Sequence, residues 1–300
     1  MKRLLTFVIA AALLAGCGPS SPTPDNSAPS TDSAQGQQFA NWPASLDKIR
    51  FRWSAEPGID LTTGPSVLLR AYFESVDVAI YTLDLNRTYP GFLRATPLNI
   101  DRYAKGALFQ LIAVQPLGDG YTMTPKDARP HYGFTPFHVL ELRPLGVGYE
   151  ATVCTAGYAN FMKSVARPGK FVSVETDDKT GKPLQSGAAS GIIVNRIQFT
   201  QHDPRVGPTS PQPPTGPQRG PAPAPGEDVF GNWFVTAQSS SGWGPVDSPD
   251  EPFFPNPELE QRCADSMPQN EAERTAMMTG YKDAPPAHGD AEPGWPLQAN

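Results

Sequence analysis

Three cysteines, four histidines and a few isolated acids are the residues of this 300-residue chain that could do chemistry. Zinc needs three or four nitrogen, sulfur or oxygen ligands at close spacing. His131 and His138 stand apart with no partner at ligand spacing, His202 lies beside Asp203-Pro204, and His288 is isolated. His138, inside the apolar alternation FHVLELR, reads as a sheet residue and His202 as a solvated one. A nucleophilic serine needs G-x-S-x-G on a strand-to-helix turn. Gly187-Ala188-Ala189-Ser190-Gly191 lacks that spacing, precedes a strand pattern, and reads as a flexible turn. Thr180-Gly181-Lys182-Pro183 lacks the upstream glycine and the following Ser/Thr of a phosphate loop. The acidic run Asp247 to Glu251 lacks the glycine and terminal glutamate of a calcium loop. Asp77 and Asp84 could act as a general base only if an apolar pocket raised or positioned them. The sequence therefore assigns no catalytic, cofactor-binding or metal-binding residue and leans away from an enzyme.

The cysteines say more. Lys2 and Arg3 precede an apolar run, Leu4 to Leu14, that is too short for the ~20 residues of a membrane span and suits a signal peptide. The run ends in Leu14-Ala15-Gly16-Cys17, which resembles the bacterial lipobox. That resemblance implies cleavage before Cys17, a diacylglyceryl thioether on its sulfur and a further, palmitate-class acyl chain on the new amino terminus. Two or three chains anchor a protein stably where one does not. The expected location is the outer face of the cytoplasmic membrane, in the cell envelope. Cys154 and Cys263 are then an even remainder in an oxidising compartment, and a disulfide between them is expected.

Composition narrows the partners. The formal charge is −6 without a basic stripe, which argues against nucleic acid, whose binding rests on phosphate neutralisation. The 35 prolines are about twice the usual share and cluster, so part of the chain cannot form a core. Residues 1–16 read as the signal peptide and 17–38 as a Ser/Pro/Thr/Gln-rich tether. Residues 39–203 read as an α+β domain and 204–226 as a Pro-rich linker. Residues 227–300 read as a C-terminal segment that packs back on the domain, frayed after about 283. The cysteines flank the Pro-rich stretch, which is why the tail is expected to return.

Within the domain, Leu69, Phe73, Val76 and Ile80 recur at helical spacing behind Gly64-Pro65. The later part, AIYTLDL, fits a strand equally well. Strands are predicted over Leu108–Val114, Phe137–Arg143, Tyr149–Thr155, Phe171–Thr176 and Ile192–Thr200, separated by glycine-bearing turns. Close spacing without intervening helices implies an antiparallel sheet of about five strands, with the N-terminal helix on one face. Val229 to Val235 reads as the docking element of the tail. Asn256-Pro257-Glu258 reads as a helix start carrying Cys263, and Asn270 to Glu273 as a capping box.

Trp53-Ser54-Ala55-Glu56-Pro57-Gly58-Ile59-Asp60, Leu69-Arg70-Ala71-Tyr72-Phe73-Glu74-Ser75, Tyr89-Pro90-Gly91-Phe92 and Asp228-Val229-Phe230-Gly231-Asn232-Trp233 together resemble a family of exported lipoproteins from mycobacteria and related actinobacteria. The resemblance implies envelope location and nothing about activity. A helix followed by a curved antiparallel sheet also resembles the nuclear-transport-factor-2-like or cystatin-like cone. That group holds enzymes, binding modules and accessory proteins alike. Three functions follow as expectations. The first is a non-catalytic binding or accessory module for an apolar envelope molecule or a protein partner, with Tyr72, Phe73, Tyr89, Phe92, Tyr132, Phe134 and Tyr158 as lining. The second is a structural subunit or spacer of an envelope assembly. The third is a cone-fold isomerase or dehydratase using Asp77 or Asp84.

Overall fold

A computed structural model describes residues 39, 41–118, 120–250 and 254–297. Cys17, the signal peptide and the tether lie outside the described residues. The first strand, β1 (Ile49–Ala55), alternates strictly, with Ile49, Phe51 and Trp53 buried and Arg50, Arg52 and Ser54 between them. Helix α1 (Pro65–Thr82) starts with proline in its first turn behind Gly64 and stops where Leu83 turns left-handed. The ambiguous AIYTLDL stretch is thus helical through Thr82. Two single helical turns follow, α2 (Phe92–Ala95) and α3 (Phe109–Ile112). Next come β2 (Tyr132–Leu145), β3 (Gly148–Ala156), β4 (Asn160–Lys163) and β5 (Phe171–Ser173). A small hairpin of β6 (Thr176–Asp177) and β7 (Lys182–Pro183) precedes β8 (Ile192–Thr200). After the Pro-rich stretch come β9 (Phe234–Ser239), α4 (Pro257–Ser266) and α5 (Glu271–Met278).

The architecture is α+β with a curled antiparallel sheet and few helices. Among the described residues the sheet has seven strands, ordered β5-β4-β2-β3-β8-β9, with β1 added to β2. The β1–β2 pairing is parallel, Ser54 standing opposite His138. Successive residues of a strand face opposite ways, and both faces are covered. Phe51, Trp53, Phe137, Val139, Val153, Ile197 and Phe199 cluster with Leu68, Leu69, Tyr72 and Phe73 of α1. Their neighbours Phe134, Cys154, Ala156, Ile192 and Val194 cluster with Cys263, Ala264, Met267 and Met278 of the tail helices. Cys154 on β3 and Cys263 on α4 lie at disulfide distance, Cα atoms 5.6 Å apart, both without solvent exposure.

Four expectations need correction. Leu108–Val114 is not a strand: Phe109–Ile112 make one helical turn whose backbone ties to Gly244 through the Phe109 N–H, at 3.0 Å. A short apolar run has no period to distinguish the two states. The strand count exceeds five because β1, β4 and β9 went unrecognised, and Phe171–Thr176 is shared between β5 and the hairpin. The stretch 204–226 is not linker throughout, since Ala222 to Pro225 are buried. Nor does the chain fray after 283. Glu292 bonds to β1 on either side of Arg52, its carbonyl accepting from Trp53 N–H at 2.5 Å and its N–H donating to Phe51 O at 3.1 Å. Trp295, 1% exposed, exchanges backbone hydrogen bonds with Ala222. Proline and glycine there reflect an extended path, which composition cannot tell from disorder.

The cross-link closes a loop of 109 residues. Replacing both cysteines by alanine should lower the unfolding free energy by about 2–5 kcal/mol. Urea titration of wild type and double variant checks this, and unchanged midpoints would show that α4 holds without its bond.

Candidate functional site

Of the four sequence motifs that carry the family resemblance, three meet at one buried pair, and the fourth joins them through a second junction. Arg70 and Glu74, one turn apart on α1 and therefore on one helix face, are both buried. Glu74 Oε1 accepts from Trp53 Nε1 at 2.8 Å, and Oε2 accepts from Tyr89 Oη at 2.8 Å and Trp295 Nε1 at 2.7 Å. Arg70 Nε faces Glu74 Oε1 at 3.9 Å. Its terminal nitrogens donate to four carbonyls, those of Leu61, Gln218, Pro293 and Gly294, at 2.6–3.2 Å. The guanidinium also lies 4.0 Å from the centroid of the Trp295 ring, a cation–π contact. Ser75 Oγ accepts from the Tyr89 N–H at 3.1 Å, and Tyr72 Oη donates to Val114 O at 2.7 Å.

A second junction ties the remaining motifs together. Asp228 Oδ1 accepts from the N–H groups of Phe230 and Gly231, while Arg94 Nη2 meets Asp228 Oδ2 at 2.5 Å. Arg94 also donates to Gly231 O, and Phe92 packs edge-on against Phe230. Gly91, at φ +94°, allows this approach: a Cβ there would fall 2.2 Å from Asp228 Oδ1. The first junction is buried and filled by protein groups; the second is half-exposed and borders a surface hollow. Buried polar groups require such pairing, and here the pairing joins α1 to the Pro-rich stretch and the C-terminal segment. The motifs close a core.

The aromatic lining expected of a cone pocket is likewise committed. Tyr72, Phe73, Tyr89, Phe92, Phe134 and Tyr158 are buried. Tyr72 stacks on Phe92 and meets Phe73 edge-on; Tyr132, partly buried, packs on Phe171. The hollows at the surface are open ones. One of about 460 Å³ lies over Thr88 to Arg94 and Asp228, another of about 480 Å³ between α4 and α5.

Of the acids considered as general bases, Asp84 caps the turn that follows α1, accepting from Asn86 N at 3.0 Å. Asp77, partly buried, accepts from Tyr81 Oη at 2.8 Å. Tyr81 in turn lies 2.9 Å from Thr135 Oγ1 and stacks on His131, whose Nδ1 is 2.8 Å from Asn160 Oδ1. Burial holds His131 down at about 4. Asp77 lines neither hollow described above. Ser190 Oγ donates to Gln185 O within a turn, and Thr180 Oγ1 to Asp177 in the hairpin loop. Among the described residues no group of three or more His, Cys, Asp or Glu converges as a metal would require.

One constellation escaped sequence reading. Ser54 Oγ is 2.9 Å from His138 Nδ1, and Glu56 Oε1 is 3.5 Å from His138 Nε2. The order serine–histidine–carboxylate suits nucleophilic chemistry. Here the ring is 5% exposed, held down by burial, and the hydroxyl also reaches Phe137 O at 3.3 Å. Its geometry is a cross-strand tie between β1 and β2. Recognising the alternation of β1 in IRFRWSA would have found it.

Comparison of the chain with protein-family models, curated proteins and solved structures finds no match.

Two outcomes follow from the buried pair. Replacing Arg70 by methionine strips the donors from its carbonyls and leaves Glu74 uncompensated. The expected loss is about 3–5 kcal/mol, read by urea unfolding, with faster amide exchange at 292–295. Burial pushes Glu74 up to about 7, against the downward pull of Arg70 and its three donors, and burial pushes Asp77 up to about 7 as well. The native state therefore keeps protons that the unfolded chain releases near 4.5 and 3.8. Stability from Glu74, on the order of 3 kcal/mol, is present below pH ~4.5 and lost as pH rises through about 7. Urea midpoints between pH 4 and 8 should fall accordingly, and Glu74→Gln together with Asp77→Asn should flatten the profile.

Proposed function

We propose that the chain is a lipid-anchored lipoprotein of the cell envelope, fixed through Cys17 to the outer face of the cytoplasmic membrane. Its folded part is a non-catalytic accessory module that works through its surface. One observation supports this over an internal site: the aromatics that would line a cone pocket, with the Arg70–Glu74 pair beside them, are packed into the core. An apolar envelope molecule would then be met at the surface, as a protein partner would. Kinship with the nuclear-transport-factor-2-like or cystatin-like cone is proposed from the long α1 followed by the curled sheet. The parallel β1 and the helices on the second face are departures from it.

The actinobacterial lipoprotein resemblance supports the same location. A structural subunit of an envelope assembly is the neighbouring reading, favoured by the way the tail and Pro-rich stretch are bound into one body. Intact mass of membrane-extracted protein should show a chain starting at Cys17 with added acyl mass. Cross-linking in cells should then capture a defined partner in fewer copies than the lipoprotein for an accessory module, or in fixed stoichiometry for an assembly subunit. An unacylated chain would overturn the reading.

A further inference from the structure

The segment from α2 to the start of β2 turns apolar side chains both inward and outward. Phe92, Ala95, Ala107 and Val114 are buried and hold it to the core. Leu93, Leu98, Tyr103, Tyr121 and Met123 face solvent, Leu98 at 80% and Tyr103 at 87% exposure. The two arms carrying these residues are clasped: Asn99 Nδ2 donates to Gln115 O and its Oδ1 accepts from Gln115 N, both at 2.8 Å. Ile100 N–H donates to Leu111 O at 3.0 Å. The clasp closes the stretch from Asn99 to Gln115 that carries Tyr103, directly after Leu98.

Charge on the same segment runs against the rest of the chain. Residues 92–131 hold five Arg and Lys, of which Arg94 is paired with Asp228, against three Asp, in a protein of net charge −6. Arg102 lies over the Tyr103 ring, and Lys105 and Lys126 are exposed beside the apolar residues. Protein–protein interface cores are depleted in lysine. Aliphatic tips, tyrosine rings and flanking Lys/Arg are instead what a lipid headgroup layer accepts: rings at the interface, chains below, cations at the phosphates.

We propose that the loop spanning Leu93 to Arg129 docks on an anionic bilayer surface, with Leu98 and Tyr103 entering the headgroup layer. This deepens the lipid-anchored reading and rests on it for the presence of the membrane: the anchor would supply attachment and the loop orientation.

The test uses the mature chain from position 17 with Cys17→Ser, purified with Cys154 and Cys263 oxidised, so that neither an acyl chain nor the apolar run Leu4 to Leu14 contributes. Flotation with vesicles of equal phosphatidylglycerol and phosphatidylcholine should carry the protein upward, less so in 0.5 M salt by screening (roughly a 3–5 Å Debye length) and less on pure phosphatidylcholine. Leu98→Asp with Tyr103→Asp should cut partitioning at least tenfold, with the urea midpoint unchanged because both side chains lie outside the core. Val147→Asp with Val165→Asp, at exposed positions elsewhere, should leave it intact. No flotation of the Cys17→Ser chain, or equal loss in both double variants, overturns the proposal. So does a Leu98/Tyr103 pair that matters only for capture of a protein in cells, which would make the loop a protein contact. Whether Cys17 is acylated is read separately from intact mass, so failure of the anchor and failure of the loop remain distinguishable.

Discussion

A guanidinium and a carboxylate one helical turn apart, both shut away from water, organise the molecule. Isolated, either charge would be too costly to bury. Arg70 is tolerable because four backbone carbonyls from three separate parts of the chain converge on it. Glu74 is tolerable because Trp53, Tyr89 and Trp295 aim N–H and O–H groups at it. Such a pair adds little net stability against a well-packed apolar alternative. What it adds is position: the partners of both groups come from the Pro-rich stretch and the C-terminal segment as well as from β1 and the turn after α1.

That arrangement explains how the first half of α1 is buried on every side. The sheet takes its apolar stripe through Leu69 and Phe73, and the returning segments take the polar one through Arg70 and Glu74. On the other face of the sheet, α4 and α5 complete the layering around Cys154 and Cys263. A curled sheet with one face free could hold a ligand; with both faces covered, its side chains go to packing.

Much of this was legible in the sequence. The start of α1 followed from Gly64-Pro65 and its period; β2, β3 and β8 followed from β-branched alternation between turns; the Asn256 and Asn270 caps were read directly and accept the expected N–H groups. The Cys154–Cys263 pairing was inferred from number and compartment. What escaped has a common physical cause. The stretch 290–295 gains its structure from partners more than seventy residues away, so neither local propensity nor periodicity carries the signal; β1 does alternate, but its parallel partner lies about eighty residues on. The Leu108–Val114 run was apolar on all sides, which erased the period that separates strand from helical turn. The motifs Tyr89-Pro90-Gly91-Phe92 and Asp228 to Trp233 stood out as patterns without a mechanism, because their meaning lies in an approach of Gly91 to Asp228 that only the fold supplies.

The hydrogen bond between Trp295 and Glu74 spans 221 positions, and synthesis runs from the amino terminus. Glu74 therefore exists long before its last donor does. Trp53 and Tyr89 are made early and can supply two of the three donors, while Trp295 comes more than two hundred residues after Glu74. Glu74 gains that donor only once residue 295 has been made. Long-range closure of this kind is slow.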